Sequence, residues 1–303
     1  METFLTRREF LAGASCFGAA LVLAKTIPLR ALAEGIAQDP RVAEAPLLDK
    51  GFASVRRIGP GVYATISDFS KGPQTLSNGG FSVGSEAALI VEGHNQPAGA
   101  AFELEALRLV SQVPVHGAVD SHYHFDHSFG NAFYGAQGIP VWAHAKAAPL
   151  MVERYGNAQG QDHAPLFAPF EKAAREATDA VRRQRAEGDL GAAKLLYGAV
   201  DATIISLPNR PLDPAKLPIT VDLGGVKAVI ETYPGHTPSD VVVRVLEQNI
   251  TFTGDLLFNA WYPVAFDAEM SAWRKTLEKF AGFGKDALFV PGHGQVCGQE
   301  GIA

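Results

Sequence analysis

Apolar residues from Ser54 onward fall in short runs that turn residues interrupt, and this pattern predicts β-strands. The first runs read SVRRI, GVYATIS and FSVGSEAALIVEG, with turn residues at 59–61 and 77–80, where glycine, proline and asparagine favour a reversal of the chain. Residues 98–111 instead repeat apolar positions at helical spacing. The run VHGAVDSH is typical of a short buried strand, and we expect a helix and a further strand, IPVWAHA, after it.

The second half of the chain returns to the strand pattern after a helical stretch. Residues 145–200 carry mixed charge and predict helices, which we interpret as an insertion with a solvated surface that could also form a lid. Two hairpins follow, ITVDLGGVKAVIETYPG and DVVVRVLEQNITFTGD, then an amphipathic helix, AEMSAWRKTLEKFAGF, and a strand, ALFVPGHG. Helices and hairpins interleaved in this way favour an α/β fold with sheets between helical layers. Since residues 54–303 contain no repeat or linker, we expect one domain there, preceded by an extended arm at 34–53.

Residues 1–33 have the order of features that is typical of a cleaved signal peptide. A twin-arginine sequence, TRREFL at residues 6–11, precedes an apolar stretch rich in Ala and Gly, and Ala31-Leu32-Ala33 supplies the small residues of a cleavage site. A buried or membrane-anchoring N-terminal helix is the alternative, but Lys25 and Pro28 interrupt the apolar stretch, and it is shorter than the ~20 residues of a span. We therefore predict export by the twin-arginine route, a periplasmic location and no stable membrane association of the mature protein.

Composition and charge narrow the class of protein. The 303 residues are 47% hydrophobic and 19% charged, with a formal net charge of -6 and no run of Lys and Arg beyond the predicted signal. Binding to nucleic acid through bulk charge is therefore not expected, and we predict a small molecule as the partner. Cleavage of the signal would leave Cys297 as the only cysteine, which excludes an internal disulfide and favours a buried or half-buried thiol.

Histidine and aspartate follow four of the predicted strands. Residues 121–130, SHYHFDHSFG, place three histidines and an aspartate within six positions, and later strands run into Gly235-His236, Gly254-Asp255 and Gly292-His293. Strand ends meet at an edge of a sheet, and the glycines permit tight turns there, so these side chains can converge. Nitrogen and carboxylate donors without a thiolate suit zinc, and less often iron or manganese.

Each short motif alone is more often structural, but their combination in this order indicates a metal site. The predicted ligands are His122, His124, Asp126, His127, His236, Asp255 and His293. The remaining histidines are expected to be structural or on the surface, namely His94, His116, His144 and His163.

SHYHFDH, PGHTPSD, FTGDLLF and FVPGHG together resemble the motifs of the metallo-β-lactamase-fold superfamily, over about residues 54–297. The resemblance implies an αββα sandwich that carries two zinc ions, with one aspartate shared between them. It implies three sets of ligands: His122, His124 and His236 on one ion, Asp126, His127 and His293 on the other, and Asp255 as the bridge. Glu92 stands where the family usually has aspartate. We expect it either to orient a ligand with its longer side chain or to alter the geometry around the ligands.

The resemblance further implies a hydrolase in which a hydroxide held between two metal ions attacks an ester, thioester, lactone or amide carbonyl. Asp126 would be the catalytic residue, because it can orient the hydroxide while it binds a metal. Aspartate at the bridging position, Asp255, is similar to thioester hydrolases of the glyoxalase II type and to lactonases. The twin-arginine signal and the stretch FTGDLLFNAWYPVAFD together resemble those of exported superfamily members that are associated with sulfur-oxidation and quinoprotein systems.

Three alternatives to this hydrolase remain open at the level of sequence. A β-lactamase would share the histidine at position 127 and would suit a periplasmic location. A persulfide dioxygenase would use a single iron on the equivalents of His122, His236 and Asp255. A non-catalytic binding protein with a vestigial site is the least favoured alternative, since the set of seven ligands is complete. The metal content of the protein separates a dizinc hydrolase from a mono-iron dioxygenase.

Overall fold

The structure is a computed structural model, and it describes residues 39–156, 158, 160–261 and 263–302. The predicted signal peptide at residues 1–33 lies outside the described residues. Among the helices that are described, none combines the length and the apolar character needed to cross a membrane.

The strands of the first half of the chain form an eight-stranded sheet whose strands lie in sequence order. These strands are β1 Leu48–Asp49, β2 Ala53–Gly59, β3 Val62–Ser67, β4 Gly79–Val83, β5 Ala88–Val91, β6 Val115–Val119, β7 Val141–His144 and β8 Arg210–Leu212. Neighbours from β1 to β5 are antiparallel, and those from β5 to β8 are parallel. The sheet therefore begins within the segment that we expected to be an arm, because β1 is the edge strand and pairs with β2.

The strands of the second half form a five-stranded sheet in the order β13-β12-β11-β10-β9. They are β9 Ile219–Asp222, β10 Lys227–Thr232, β11 Val241–Val245, β12 Ile250–Asn259 and β13 Leu288–Gly294. Strands β9 to β12 pair in antiparallel fashion, which confirms the two predicted hairpins, and β13 pairs with β12 in parallel.

Helices lie on the outer faces of the two sheets and in the insertion. They are α1 Pro97–Val110, α2 Phe125–Ser128, α3 Asn131–Ala136, α4 Ala147–Tyr155, α5 Ala164–Glu176, α6 Ala180–Ala202 and α7 Met270–Ala281. The insertion predicted at 145–200 is helical in α4, α5 and α6, and an apolar cluster that includes Met151 and Val200 packs it against Phe125 and Phe129. Whether the insertion acts as a lid stays a prediction.

Alternate side chains of each central strand face opposite sides of the sheet, and this arrangement forms the layers of the fold. In β5, Leu89 and Val91 face a cluster that also contains Ile230 and Phe252 of the second sheet, while Ala88 and Ile90 face α1. Successive side chains of a strand point to opposite faces, so one strand contacts both an inner and an outer layer. On the far side, an apolar cluster of α7 and the second sheet completes the order helix, sheet, sheet, helix. The predicted αββα sandwich is confirmed.

The apolar cluster between the two sheets, which includes Leu89 and Ile230, holds the sheets against each other. Its aliphatic and aromatic side chains are almost fully buried, for example Leu89 and Ile230 at 0% exposed. Each such side chain contributes about 1.5–3 kcal/mol to folding. The loops at one edge of both sheets are therefore held against each other by the core, and the predicted ligands lie at this edge.

Candidate metal centre

The structure brings all seven predicted ligand residues together, and each is at most 8% exposed. His122 and His124 follow β6, Asp126 and His127 lie in the single turn of α2, and His236 follows β10. The other two lie within strands rather than after them, Asp255 in β12 and His293 in β13.

An irregular stretch of β12 allows Asp255 to reach the centre. The pairing of β12 with β13 shifts register on either side of Gly254, and Gly254 itself has a φ of 53°. A Cβ at Gly254 would lie 2.5 Å from the Ser121 side chain. Glycine is therefore needed both for the backbone conformation and for the close approach of β12 to the loop of His122.

The first group of ligand atoms comprises His122, His124, His236 and Asp255. His124 Nδ1 lies 3.0 Å from His122 Nε2 and 3.1 Å from His236 Nε2. Asp255 Oδ2 lies 3.4 Å from His236 Nε2. These four atoms surround one point and could hold one metal ion.

The second group comprises Asp126, His127 and His293, which could hold another ion. Asp126 Oδ2 lies 3.2 Å from His293 Nε2 and 3.5 Å from His127 Nε2. Asp255 faces this group as well, since its Oδ1 is 3.2 Å from His127 Nε2 and 3.4 Å from His293 Nε2. One carboxylate oxygen thus faces each group, which is the arrangement expected of a bridging ligand.

The donor atoms fit divalent metal ions. His127 Nε2 and Asp255 Oδ1 are buried and have no hydrogen-bond partner, although they lie 3.2 Å apart. Leaving such atoms unpaired in a protein interior costs about 1–3 kcal/mol each, and a cation between them would satisfy both. Imidazole nitrogens with carboxylate oxygens and no thiolate are a set that suits zinc, iron or manganese.

Electrostatics differ between the two groups. Burial lowers the pKa of His122 and His124 and takes the pKa of His236 to about 3, so these rings are neutral at pH 7 and offer lone pairs. Burial also lowers the pKa of His293, but Asp255 and Asp126 raise it by more, to about 9. A metal ion in the second group therefore competes with a proton on His293, whereas one in the first group does not.

Glu92 orients His127, the first of the two roles that we expected for it. Its Oε1 lies 3.2 Å from His127 Nδ1, and its Oε2 accepts a hydrogen bond from the Ser121 amide at 3.2 Å. A carboxylate on the far nitrogen of a histidine ring directs the other nitrogen at the metal. Glu92 is 1% exposed and has a φ of 89°, a conformation that is strained for a residue with a side chain.

Asp267 is a site residue that the sequence motifs did not indicate. Its Oδ2 lies 3.0 Å from His124 Nε2 and accepts hydrogen bonds from Tyr123 and Arg154. Burial raises the pKa of Asp267, but the hydrogen bond from His124 and the charge of Arg154 outweigh burial and hold it below the ordinary value. The signals in the sequence are that the stretch FTGDLLFNAWYPVAFD ends at Asp267, and that Asp267 is the sole charged residue between Asp255 and Glu269.

Aromatic rings surround the centre. Phe258 and Trp261 lie nearly parallel to the ring of His293, with centroids 5.5 and 5.9 Å away, and Phe266 is 5.1 Å from His124. Phe69 packs edge-on against Trp261 at 4.8 Å. The surroundings of the ligands are therefore largely apolar.

The other histidines and the cysteine have the structural or surface positions that we predicted. His94 is fully buried and its Nε2 lies 3.2 Å from Glu103 Oε2, whereas His116 is exposed. His163 pairs with Asp201 at 3.1 Å, and Cys297 is buried as a free thiol. None of these residues belongs to either group of ligands among the described residues.

Solved structures share this fold at low sequence identity. The metallo-beta-lactamase from Pontibacter korlensis is 17% identical, with a TM-score of 0.53, and the match covers 86% of this chain and 94% of that one. The DIM-1 metallo-beta-lactamase is 15% identical, with a TM-score of 0.55 and coverages of 82% and 93%. At such identities the likeness shows the fold alone.

Sequence comparison identifies partial relatives and the family of this chain. Uncharacterized proteins of Mycobacterium bovis and Mycobacterium tuberculosis are 34% identical over 82 residues, a match that covers 24% of this chain and 37% of theirs. The chain thus spans little more than a third of the length of these curated relatives. Residues 82–293 match the family model of the metallo-beta-lactamase superfamily, a range that contains all seven predicted ligand residues. The chain belongs to the metallo-beta-lactamase superfamily.

Proposed function

We propose that this protein is a metal-dependent hydrolase that cleaves an ester, thioester, lactone or amide bond of a small molecule at a centre of two divalent ions, with zinc favoured. One observation carries the proposal, namely two adjoining groups of buried donor atoms with one oxygen of Asp255 facing each group. Because the sequence and the family agree with this geometry, a hydrolase explains the site better than a structural metal does.

Each residue has a defined role in this proposal. His122, His124 and His236 would hold one ion, Asp126, His127 and His293 would hold the other, and Asp255 would contribute one oxygen to each group. Divalent ions held there would supply a nucleophile from water near neutral pH and polarise the substrate carbonyl. His127 and His293 lower the pKa of Asp126 more than burial raises it, so its carboxylate is ionised at neutral pH. Asp126 Oδ2 faces these two histidines, and the other oxygen can orient the attacking water.

The residue proposed to bridge the two ions supports one substrate class over the others. Asp255 occupies this position, and Cys297 belongs to a separate apolar cluster of α7 and the second sheet. This supports a thioester hydrolase of the glyoxalase II type or a lactonase, and the apolar rings around the centre suit an uncharged acyl group. The predicted twin-arginine signal at residues 1–33 supports a periplasmic location and a relationship to the exported members associated with sulfur-oxidation and quinoprotein systems.

The test combines metal analysis with a panel of substrates. The mature protein should contain about two zinc ions per chain and hydrolyse a thioester or a lactone. Asp126→Asn should reduce that turnover by several orders of magnitude, since it removes an anion that binds metal and orients water. His144→Ala is the matched control, because His144 belongs to neither group of ligands.

The panel also contains a chromogenic cephalosporin and glutathione persulfide. Turnover of the cephalosporin alone would make the protein a β-lactamase. Oxygen consumption with the persulfide, together with one iron per chain, would make it a dioxygenase and the hydrolase proposal wrong. A wild-type protein without metal would refute both kinds of enzyme.

A further inference from the structure

We propose that Asp267 is a positioning residue for His124, and that Arg154 of the helical insertion fixes Asp267 in this role. The inference rests on the proposed metal centre and deepens it, since it ties the insertion to the retention of one metal ion. The first group of ligands would then hold its ion firmly only while α4 is docked against the sandwich.

The two nitrogens of His124 face different partners. Nδ1 lies among the ligand atoms, 3.0 Å from His122 Nε2 and 3.1 Å from His236 Nε2. Nε2 lies 3.0 Å from Asp267 Oδ2 on the other side of the ring. A neutral imidazole carries one N–H, and a carboxylate beside Nε2 keeps the proton there. The lone pair on Nδ1 is thereby directed at the metal position.

Asp267 is held by side chains from other parts of the chain. A single oxygen, Oδ2, lies within hydrogen-bond distance of Tyr123 Oη, His124 Nε2 and Arg154 Nη1, the last at 2.6 Å. The Arg154 guanidinium also lies over the ring of Phe266, 4.5 Å from its centroid. A charge-assisted bond to arginine is among the stronger hydrogen bonds. The position of the carboxylate therefore depends on a residue 113 positions earlier, in helix α4.

Asp267 differs from Glu92, the corresponding carboxylate behind His127. Glu92 directly follows β5 and its side chain is 2% exposed, whereas Asp267 lies in the irregular segment between β12 and α7 and its side chain is 21% exposed. Without Arg154, nothing as strong would keep Asp267 beside His124. The proton of His124 could then move to Nδ1, which would block that atom as a ligand.

The experiment measures zinc affinity, by competition with a chromogenic chelator, in the full-length mature protein. Asp267→Ala should weaken the binding of one zinc ion by about 10–100-fold, the usual effect of removing a carboxylate behind a metal-binding histidine. Arg154→Met keeps an unbranched side chain, removes the charge, and should weaken the same ion by a smaller factor. The double variant should be no weaker than Asp267→Ala alone, because Arg154 acts through Asp267.

A matched control separates positioning from general damage. Asp201→Ala breaks another histidine–carboxylate pair of the insertion, His163 Nε2 to Asp201 Oδ1 at 3.1 Å, and neither residue belongs to the two groups of ligands. It should leave both zinc affinities unchanged. Asp267→Asn retains an acceptor oxygen and should recover part of the affinity that Asp267→Ala loses. The absorption bands of the cobalt-substituted protein should change in the Asp267 variants and not in the control.

The outcomes distinguish this inference from the proposed function. If the wild-type protein binds no metal, the proposed centre fails and the positioning role fails with it. If the wild type binds two ions and Asp267→Ala and Arg154→Met both keep wild-type affinity, only the positioning role is wrong. Should Asp267→Ala fail to fold, Arg154→Met and Asp267→Asn decide the question, and unchanged affinity in both would overturn the inference.

Discussion

Gly292 lies so close to Asp255 that a single added methyl group would displace the carboxylate. A Cβ at this position would be 1.9 Å from Asp255 Oδ1, and Cβ atoms essentially never approach other atoms closer than 3.0 Å. Gly292 is not among the glycines with positive φ, so its backbone accepts alanine without strain. In Gly292→Ala the carboxylate oxygen must therefore move by at least about 1 Å.

The displacement should weaken the metal centre more than the fold. Asp255 Oδ1 lies 3.2 and 3.4 Å from the Nε2 atoms of His127 and His293, and moving it by about 1 Å removes it from the second group. A misplacement of this size can cost about 100-fold in turnover. We expect the turnover of Gly292→Ala to fall about 100-fold and the variant to bind one metal ion fewer. Overpacking should lower its free energy of unfolding by about 1–3 kcal/mol.

Two measurements separate these effects. The metal content is determined after gel filtration, and urea unfolding is followed in the presence of a chelator, so that it reports packing alone. Gly198→Ala is the control, because Gly198 lies in α6 with no neighbouring atom within 4 Å of a Cβ, and it should gain up to about 1 kcal/mol of stability. Wild-type metal content and turnover in Gly292→Ala would show that Asp255 does not occupy the position between the two groups.

Three further predictions concern the second group of ligands and the location of the protein. His293→Ala should lose one of two metal ions, and metal retention equal to wild type would contradict the dinuclear assignment. In the metal-free protein, burial lowers the pKa of His293, but Asp255 and Asp126 raise it to about 9, above the ordinary value of about 6.5. This ion pairing is complete below about pH 6.5 and is lost as the pH rises through about 9. The free energy of unfolding after chelation should therefore fall across this window, and His293→Ala should flatten the fall. Replacing both Arg7 and Arg8 with Lys should leave unprocessed precursor in the cytoplasm, and mature protein in the periplasm of such cells would exclude a twin-arginine signal.

Local patterns were sufficient to predict the layers of the fold and the set of residues that converge. The period of two in β5 separates Leu89 and Val91 from Ala88 and Ile90, and the structure places these pairs in different clusters. These residues were predictable because most of them follow or interrupt a strongly apolar strand, where a buried histidine or aspartate is unusual unless it is paired. These sequence patterns are local, because the residues that form each of them lie within a few positions of one another.

Features that depend on distant partners were not predictable in this way. The hydrogen bond between Arg154 and Asp267 joins residues 113 positions apart, and no pattern in either segment specifies the other. The mixed charges of the insertion are typical of a solvated helix, and they hide Arg154, which reaches Asp267 beside the centre. The role of Glu92 needed the structure as well, because its contact with His127 joins residues 35 positions apart, at 3.2 Å.

The two carboxylates behind His124 and His127 imply that the two proposed metal positions differ in how the fold supports them. Glu92 directly follows a strand of the buried sheet, so His127 stays oriented as long as the sandwich is folded. His124 depends on Asp267, which is fixed by an arginine from a helical insertion that packs through its own apolar cluster. Local opening costs less free energy than global unfolding, and it occurs where segments pack through small separate clusters. Movement of the insertion should therefore release the orientation of His124 before that of His127, and in a partial chelation experiment the first group should exchange its ion faster in Arg154→Met than in the wild type.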